Sequence, residues 1–309
     1  MRYYPIALFA LTMLLTPTIY AQRQQAALDC FKHGNDKAAR GDLDGAITDF
    51  TAAIRLSSSL APSSSRAKPL APDDADKITV VDPLTADAYA NRGVLRFLKG
   101  DWDEAIEDFD RALRIRPSLD QIYVNRAAAR RAKGDHAGAL RDVEKALSLN
   151  RDSAHAYTNR ANIKQELGDN DGALLDLNTA IKLDPKLPEA YCSRGFIKLW
   201  KNDNQSAMAD FEVANRLNPK LAPAYQGRGV VNMKFGDYER AIMDFSSALE
   251  LDAKLSFSYM NRGLAQVVLG NEVAAQKDFD QFLLLEPGFK SELMRRIDLA
   301  RGIRREVTK

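Results

Sequence analysis

The sequence predicts an all-α solenoid of helical hairpins. Three observations predict it. One phrase returns at a fixed interval, each copy holds two stretches with apolar or small residues at helical spacing, and a Gly-Asp pair separates the stretches. The chain of 309 residues is long enough to bury a substantial core, and 45% of it is hydrophobic. Its 44 Lys and Arg against 42 Asp and Glu leave a formal charge of +2, which offers no long-range attraction for nucleic acid.

Residues 1–21 read as an export signal. Arg2 supplies a positive start, Ile6 to Leu15 form an apolar core, Thr16-Pro17-Thr18 interrupt it, and Ala21 is a small residue before a cut at Gln22. Ile19, three positions before the cut, is bulkier than the site prefers. An uncleaved anchor and a buried helix of the fold compete with this reading, although the apolar run falls short of the roughly 20 residues that span a bilayer. A lipoprotein reading fails, because Ala27-Leu28-Asp29-Cys30 is a poor box lying too far in. The mature chain is therefore expected in a periplasmic or secreted setting, with membrane association only if the signal is retained.

Residues 22–56 form a degenerate first copy, with Cys30-Phe31-Lys32-His33-Gly34, Gly41-Asp42 and Phe50 at the repeat positions. Residues 57–85 are an insert rich in Ser and Pro, which reads as a flexible surface excursion with room for a small ordered patch at Ile78 to Val81.

Residues 86–287 hold six further copies. Their tyrosines, Tyr89, Tyr123, Tyr157, Tyr191, Tyr225 and Tyr259, are evenly spaced, with one identical step from each to the next. Within the copy that begins at residue 87, Tyr89, Gly93 and Phe97 make one helical stripe, and Ala105, Phe109 and Ala112 make another. Gly100 suits the left-handed end of the first helix. Asp101 with Glu104 reads as a capping box for the second, and Pro117 stops it. Residues 288–309 read as a helix and tail that cap the last hydrophobic face, with Leu293, Ile297 and Leu299-Ala300 apolar and Arg295, Arg296, Arg301, Arg304 and Arg305 polar.

Tyr, Gly, Gly-Asp, Ala, Phe, Ala and Pro, in this order within each copy, resemble the tetratricopeptide repeat family, whose unit is about 34 residues long. The resemblance covers about residues 27 to 287 and implies a right-handed superhelix of about seven repeats whose first helices line a concave groove. The chain departs from the family pattern twice. Arg92, Arg126, Arg160, Arg194, Arg228 and Arg262 replace the usual Leu, and Asp108, Asp142, Asp176, Asp210, Asp244 and Asp278 replace an aromatic residue before the second-helix Phe. Each Arg precedes its Asp by one constant interval, which His33 and Asp49 keep in the first copy, and this offset sets the two near one level of an antiparallel hairpin. Two readings stand: a series of partly buried structural ion pairs, or two solvated faces.

The family binds peptides in its groove, and its groove asparagines are matched here by Asn91, Asn125, Asn159 and Asn261, but not by Ser193 or Gly227. An amide both donates and accepts, so it satisfies a peptide bond whatever the ligand's sequence; a solvated or capping amide is the alternative. Later copies add Cys192, Phe196, Trp200, Val230, Met233, Met260, Leu264 and Val268 as apolar groove candidates, unless they pack first helix against first helix.

Chemistry is sparse. No phosphate loop, dinucleotide fingerprint or nucleophile elbow is present, and His33, His136 and His155 fall in three different copies without metal-ligand spacing. No catalytic residue, metal, cofactor or small-molecule substrate is expected. Cys30 and Cys192, with three hairpins between them, are expected to form no disulfide. The function expected is a non-catalytic protein- or peptide-binding scaffold; the alternative is an oligomerisation or assembly scaffold using lateral or terminal faces.

Overall fold

The structure, a computed structural model, describes residues 6–58 and 83–307, with side chains from 20 to 58 and from 83 to 304. Most of the expected insert, including Ile78 to Val81, and the last two residues of the tail lie outside the described residues. The described chain is helical throughout, from α1 (Ile6–Ala39) and α2 (Leu43–Ser58) to α15 (Lys290–Val307). Between these come α3 (Pro83–Lys99), α4 (Trp102–Ile115), α5 (Asp120–Ala132), α6 (His136–Leu149), α7 (Ala154–Glu166), α8 (Asn170–Leu183) and α9 (Pro188–Trp200). They continue as α10 (Asn204–Leu217), α11 (Ala222–Phe235), α12 (Tyr238–Leu251), α13 (Ser256–Val268) and α14 (Glu272–Leu285). Two compact units divide the chain after Asn159, and each is a solenoid of packed helical hairpins.

In the first unit α1/α2, α3/α4 and α5/α6 are hairpins, and each second helix also packs on the next first helix. The second unit repeats this with α9/α10, α11/α12 and α13/α14. First helices touch first helices as well (α1/α3, α3/α5, α9/α11, α11/α13), with no comparable packing between second helices among the described residues. Within each unit the first helices therefore form the closer-packed side.

Local chemistry explains the turns. Gly41, Gly100, Gly134, Gly168, Gly236 and Gly270 all have positive φ, and Asn202 takes the same conformation at 61° where glycine is missing. Asp42, Asp135 and Asp169 then accept from the backbone N–H of Gly45, Gly138 and Gly172 at 2.9, 2.8 and 2.9 Å. A Cβ on those glycines would lie 2.1, 2.0 and 2.1 Å from the capping carboxylate. Where Ser206 or Arg240 occupies the position, the bond lengthens to 3.2 or 3.1 Å. At Glu104 it is lost: Asp101 makes no side-chain cap. The expected capping box of Asp101 and Glu104 is therefore absent.

The hairpin interior is matched by volume. Alanines 105, 112, 139, 146, 173, 180, 207, 214, 241 and 248 of the second helices are wholly buried. Five first-helix glycines at one repeat position (Gly34, Gly93, Gly195, Gly229 and Gly263) face the Phe of their own hairpin, and a Cβ on Gly93, for example, would lie 2.8 Å from the Phe109 ring. In the two copies where Ala127 and Ala161 hold the glycine position, the residue in place of that Phe is Val143 or Leu177. One methyl gained on one helix thus coincides with a smaller side chain on the other, as dense packing requires.

The last hairpin lacks a following first helix, and the chain compensates. Phe282 holds the position of the wholly buried Ala248 and packs with Phe257 and Phe289, at ring distances of 5.7 and 6.2 Å. α15 then lies on α13 and buries Leu293, Ile297 and Ala300. At the other end α1 runs without a break through Pro17 and Ala21 into the first repeat. No described helix is long and apolar enough to cross a membrane.

Candidate functional site

Two sets of repeated polar side chains hold and line the hairpins. The first lies between helices. Arg92 donates through Nε and Nη2 to the two oxygens of Asp108, at 2.8 and 2.7 Å. The same two-pronged bond joins Arg126 to Asp142, Arg160 to Asp176, Arg194 to Asp210, Arg228 to Asp244 and Arg262 to Asp278. In five of the six copies a second donor, one helical turn after the Arg, meets the same carboxylate: Arg96, Arg130, Lys164, Lys198 and, uncharged, Asn232. In the first copy this second donor alone serves Asp49, through Lys37 at 2.8 Å, and His33 is exposed. Burial pushes the Asp176 carboxyl up, but hydrogen bonds and charge from Arg160 and Lys164 outweigh it and hold it below its ordinary value.

The remaining guanidinium nitrogen, Nη1, crosses to the preceding hairpin. It donates from Arg92 to Thr51, from Arg126 to Asp110, from Arg194 to Asn178 and from Arg262 to Ser246, at 2.9, 2.5, 2.8 and 3.0 Å. Each acceptor lies 16 residues before its Arg except Thr51, which the insert separates by 41. One Arg thus ties three helices. The repeat tyrosine covers it, with Tyr89, Tyr123, Tyr191, Tyr225 and Tyr259 rings 5.4 to 5.7 Å from the guanidinium that follows in the same helix. This answers why Tyr, rather than any large apolar residue, recurs there.

The second set lies on the first helices. Asn91, Asn125 and Asn159 are half-buried at one register of α3, α5 and α7. Asn91 Nδ2 donates to Asn35 of α1 at 3.0 Å, and Asn159 Nδ2 donates to the Val124 carbonyl of α5 at 3.3 Å. Asn125 Oδ1 accepts from Gln121 at 3.0 Å. Asn261 is half-buried at the same register of α13.

Sequence models of the tetratricopeptide repeat match residues 86–119 and 222–255, and a TPR repeat model matches residues 161–199. The chain carries tetratricopeptide repeats. Among solved structures it resembles a tetratricopeptide repeat protein from Parabacteroides merdae at 19% identity, over 89% of this chain and 99% of that one, with TM-score 0.57. It also resembles a chain of the APC/C hetero-tetramer Cut9–Hcn1 (17% identity, 82% of this chain and 52% of that one, TM-score 0.62). Pseudomonas aeruginosa pilF is similar too, at 20% identity over 67% and 97% of the two chains, with TM-score 0.55. No curated protein sequence matches significantly.

Three apolar groove candidates of this chain are core residues instead. Cys192, Met260 and Leu264 are only 6, 2 and 7% exposed, and they belong to the clusters around Phe211 and Phe279. Cys192 lies on α9, which packs on α11, and Met260 and Leu264 lie on α13, which packs on α11 and on α15, so neighbouring helices take them from solvent. Val268 is buried with them, and Met233 packs against the same cluster. Phe196 is half-buried with its ring edge-on to Phe211 at 5.0 Å, and Val230 is half-buried. The exposed apolar side chains on the second unit's first helices include Trp200, at 71%, and Phe235. Phe235 carried no sequence signal, because it replaces a turn lysine such as Lys201 rather than a core residue.

Both cysteines are free. Burial, followed by the Glu189 charge, pushes the Cys192 thiol up to about 12, which leaves no thiolate near neutrality. Among the described residues no three His, Cys, Asp or Glu side chains gather as metal ligands would.

Proposed function

We propose that this protein is a non-catalytic scaffold that holds an extended peptide segment along its first helices. The observation that carries the reading is the asparagine series of the first unit. Asn91 and Asn159 each give one N–H to a neighbouring helix and keep Oδ1 and a second N–H, whereas Asn125 accepts from Gln121 and keeps both N–H groups. Amides that still offer donors and acceptors on three successive first helices suit the alternating N–H and C=O groups of an extended chain. The second unit by itself offers Trp200 and Phe235, with half-buried Phe196 and Val230, to apolar side chains of a ligand. Binding in the micromolar range is expected, because ordering a flexible peptide costs much of the contact energy.

A peptide array probed with the wild-type protein and with Asn125→Ala/Asn159→Ala tests this. Signal should fall about tenfold or more in the double variant, the loss expected when two hydrogen bonds of roughly 1 kcal/mol each go. Equal signal from both proteins removes the asparagine assignment.

A second reading, self-assembly, draws on exposed Val273 and Leu284 of α14 and Met294 and Leu299 of α15. A mass that rises with concentration in sedimentation would favour it.

We further infer export, with cleavage after Ala21, from the charged start and apolar core of residues 1–21. N-terminal sequencing of protein from the exported fraction should begin at Gln22. Retention of Met1 there would favour the anchor.

A further inference from the structure

Two copies carry glutamate where the others carry a shorter polar residue, and a pocket opens at the second of them. In four copies the guanidinium Nη1 is met by a side chain from the preceding second helix: Thr51, Asp110, Asn178 or Ser246. At Arg160 and Arg228 the equivalent positions are Glu144 and Glu212, and among the described residues no side chain accepts from Nη1 of Arg228. Glu212 lies near enough to act on the guanidinium through its charge without bonding it. A cavity of about 380 Å³ stands here between α10, α11 and α12, lined by Met208, Glu212, Arg228, Asn232, Arg240, Met243 and Asp244. Second helices α10 and α12 flank it, and the first helix α11 contributes Arg228 and Asn232.

We propose that this pocket binds an acidic side chain flanked by an apolar one, presented by a partner protein. The chain itself shows the chemistry: Asp110 offers Arg126 Nη1 a carboxylate oxygen from within the fold, and a ligand offers the same group to Arg228 from outside. The charge balance agrees. Asp244 is already held by the Arg228 fork and by Asn232, so its charge is compensated. Arg240, exposed and tied only to its own helix's Asp237 at 3.4 Å, adds a second guanidinium to the lining. Met208 and exposed Met243 give a polarisable apolar wall that adapts to the flanking side chain. Glu212 opposes an incoming carboxylate and sets the affinity low. The site is independent of the asparagine series and survives its failure.

Methionine-methyl NMR tests the proposal, with acetyl-Leu-Asp-Leu-amide as probe and acetyl-Leu-Asn-Leu-amide as its uncharged match. The Met208 and Met243 methyl signals should shift with the aspartate peptide while those of Met260 and Met294 stay. The asparagine peptide should bind about tenfold more weakly, since it lacks the charge that strengthens the bond. Glu212→Asn, which sets at this position the amide that Asn178 supplies to Arg194, should close the site from within and abolish the shifts. Arg240→Gln should weaken binding and leave the fold intact, because Arg240 is exposed. Unmoved Met208 and Met243 methyls, or equal affinity for the two peptides, would overturn the proposal. Tighter binding of N-acetyl-leucine would overturn the side-chain assignment in favour of a chain end.

Discussion

Replacing Asp108 by Ala should cost roughly 3–5 kcal/mol of stability in urea denaturation followed by helical circular dichroism, the range for removing one partner of a buried ion pair. Asp108 is 1% exposed and accepts from three nitrogens, two on Arg92 and one on Arg96. Without it the Arg92 guanidinium, itself 7% exposed as a side chain, has lost its counter-charge in a site that water does not reach. Arg96 is more exposed and recovers part of its hydration. The loss also reaches the neighbouring hairpin, because Arg92 Nη1 holds Thr51 of α2. In a stack where each hairpin leans on the next, the first unit should then unfold in its own earlier step. Asp103→Ala is the control: it removes an exposed turn pair with Lys133 and should cost under about 1 kcal/mol. Similar costs for the two variants would show that the Arg–Asp forks do not hold the hairpins.

Gly227→Asn should destabilise the protein by about 1–3 kcal/mol, the usual penalty for overpacking, although it restores the residue that four other copies carry at that register. A Cβ at position 227 would stand 2.3 Å from Cζ of Phe211, well inside contact distance. α11 lies close against both α9 and α10 there, and the missing side chain is what allows it. Phe211 has little freedom to yield, since it is wholly buried, rests on Gly195 from one side and takes the edge of Phe196. Adding Phe211→Leu should recover part of the loss by vacating the ring's outer atoms. An unchanged melting temperature for Gly227→Asn would mean that α11 can withdraw freely, and the packing account of this position would fail.

The candidate site was only partly legible. The asparagine register recurs in step with the tyrosines and is visible in the sequence, but which amide atoms remain open depends on Asn35, Gln121 and the Val124 carbonyl, all outside the repeated phrase. Cys192, Met260 and Leu264 look like groove residues because their helical angle is right, and a helical angle does not say how near the next helix stands. The pocket at Arg228 has a faint signal in sequence: Glu212, like Glu144, is a long member of a set whose bonding members are Thr51, Asp110, Asn178 and Ser246.

The sequence by itself determined the hairpins: their number, their turns, and the constant offset that places each Arg level with its Asp. All of these depend on contacts within one copy, where helix pitch and a short turn leave little freedom. Tertiary structure alone decided what happens between copies. That includes the Nη1 bond of Arg92, Arg126, Arg194 and Arg262, the burial of Cys192 and Met260, and the need for glycine at 227. The reason is physical: the distance between neighbouring helices is set by the summed volumes of side chains from several copies at once, and no single repeat carries that sum.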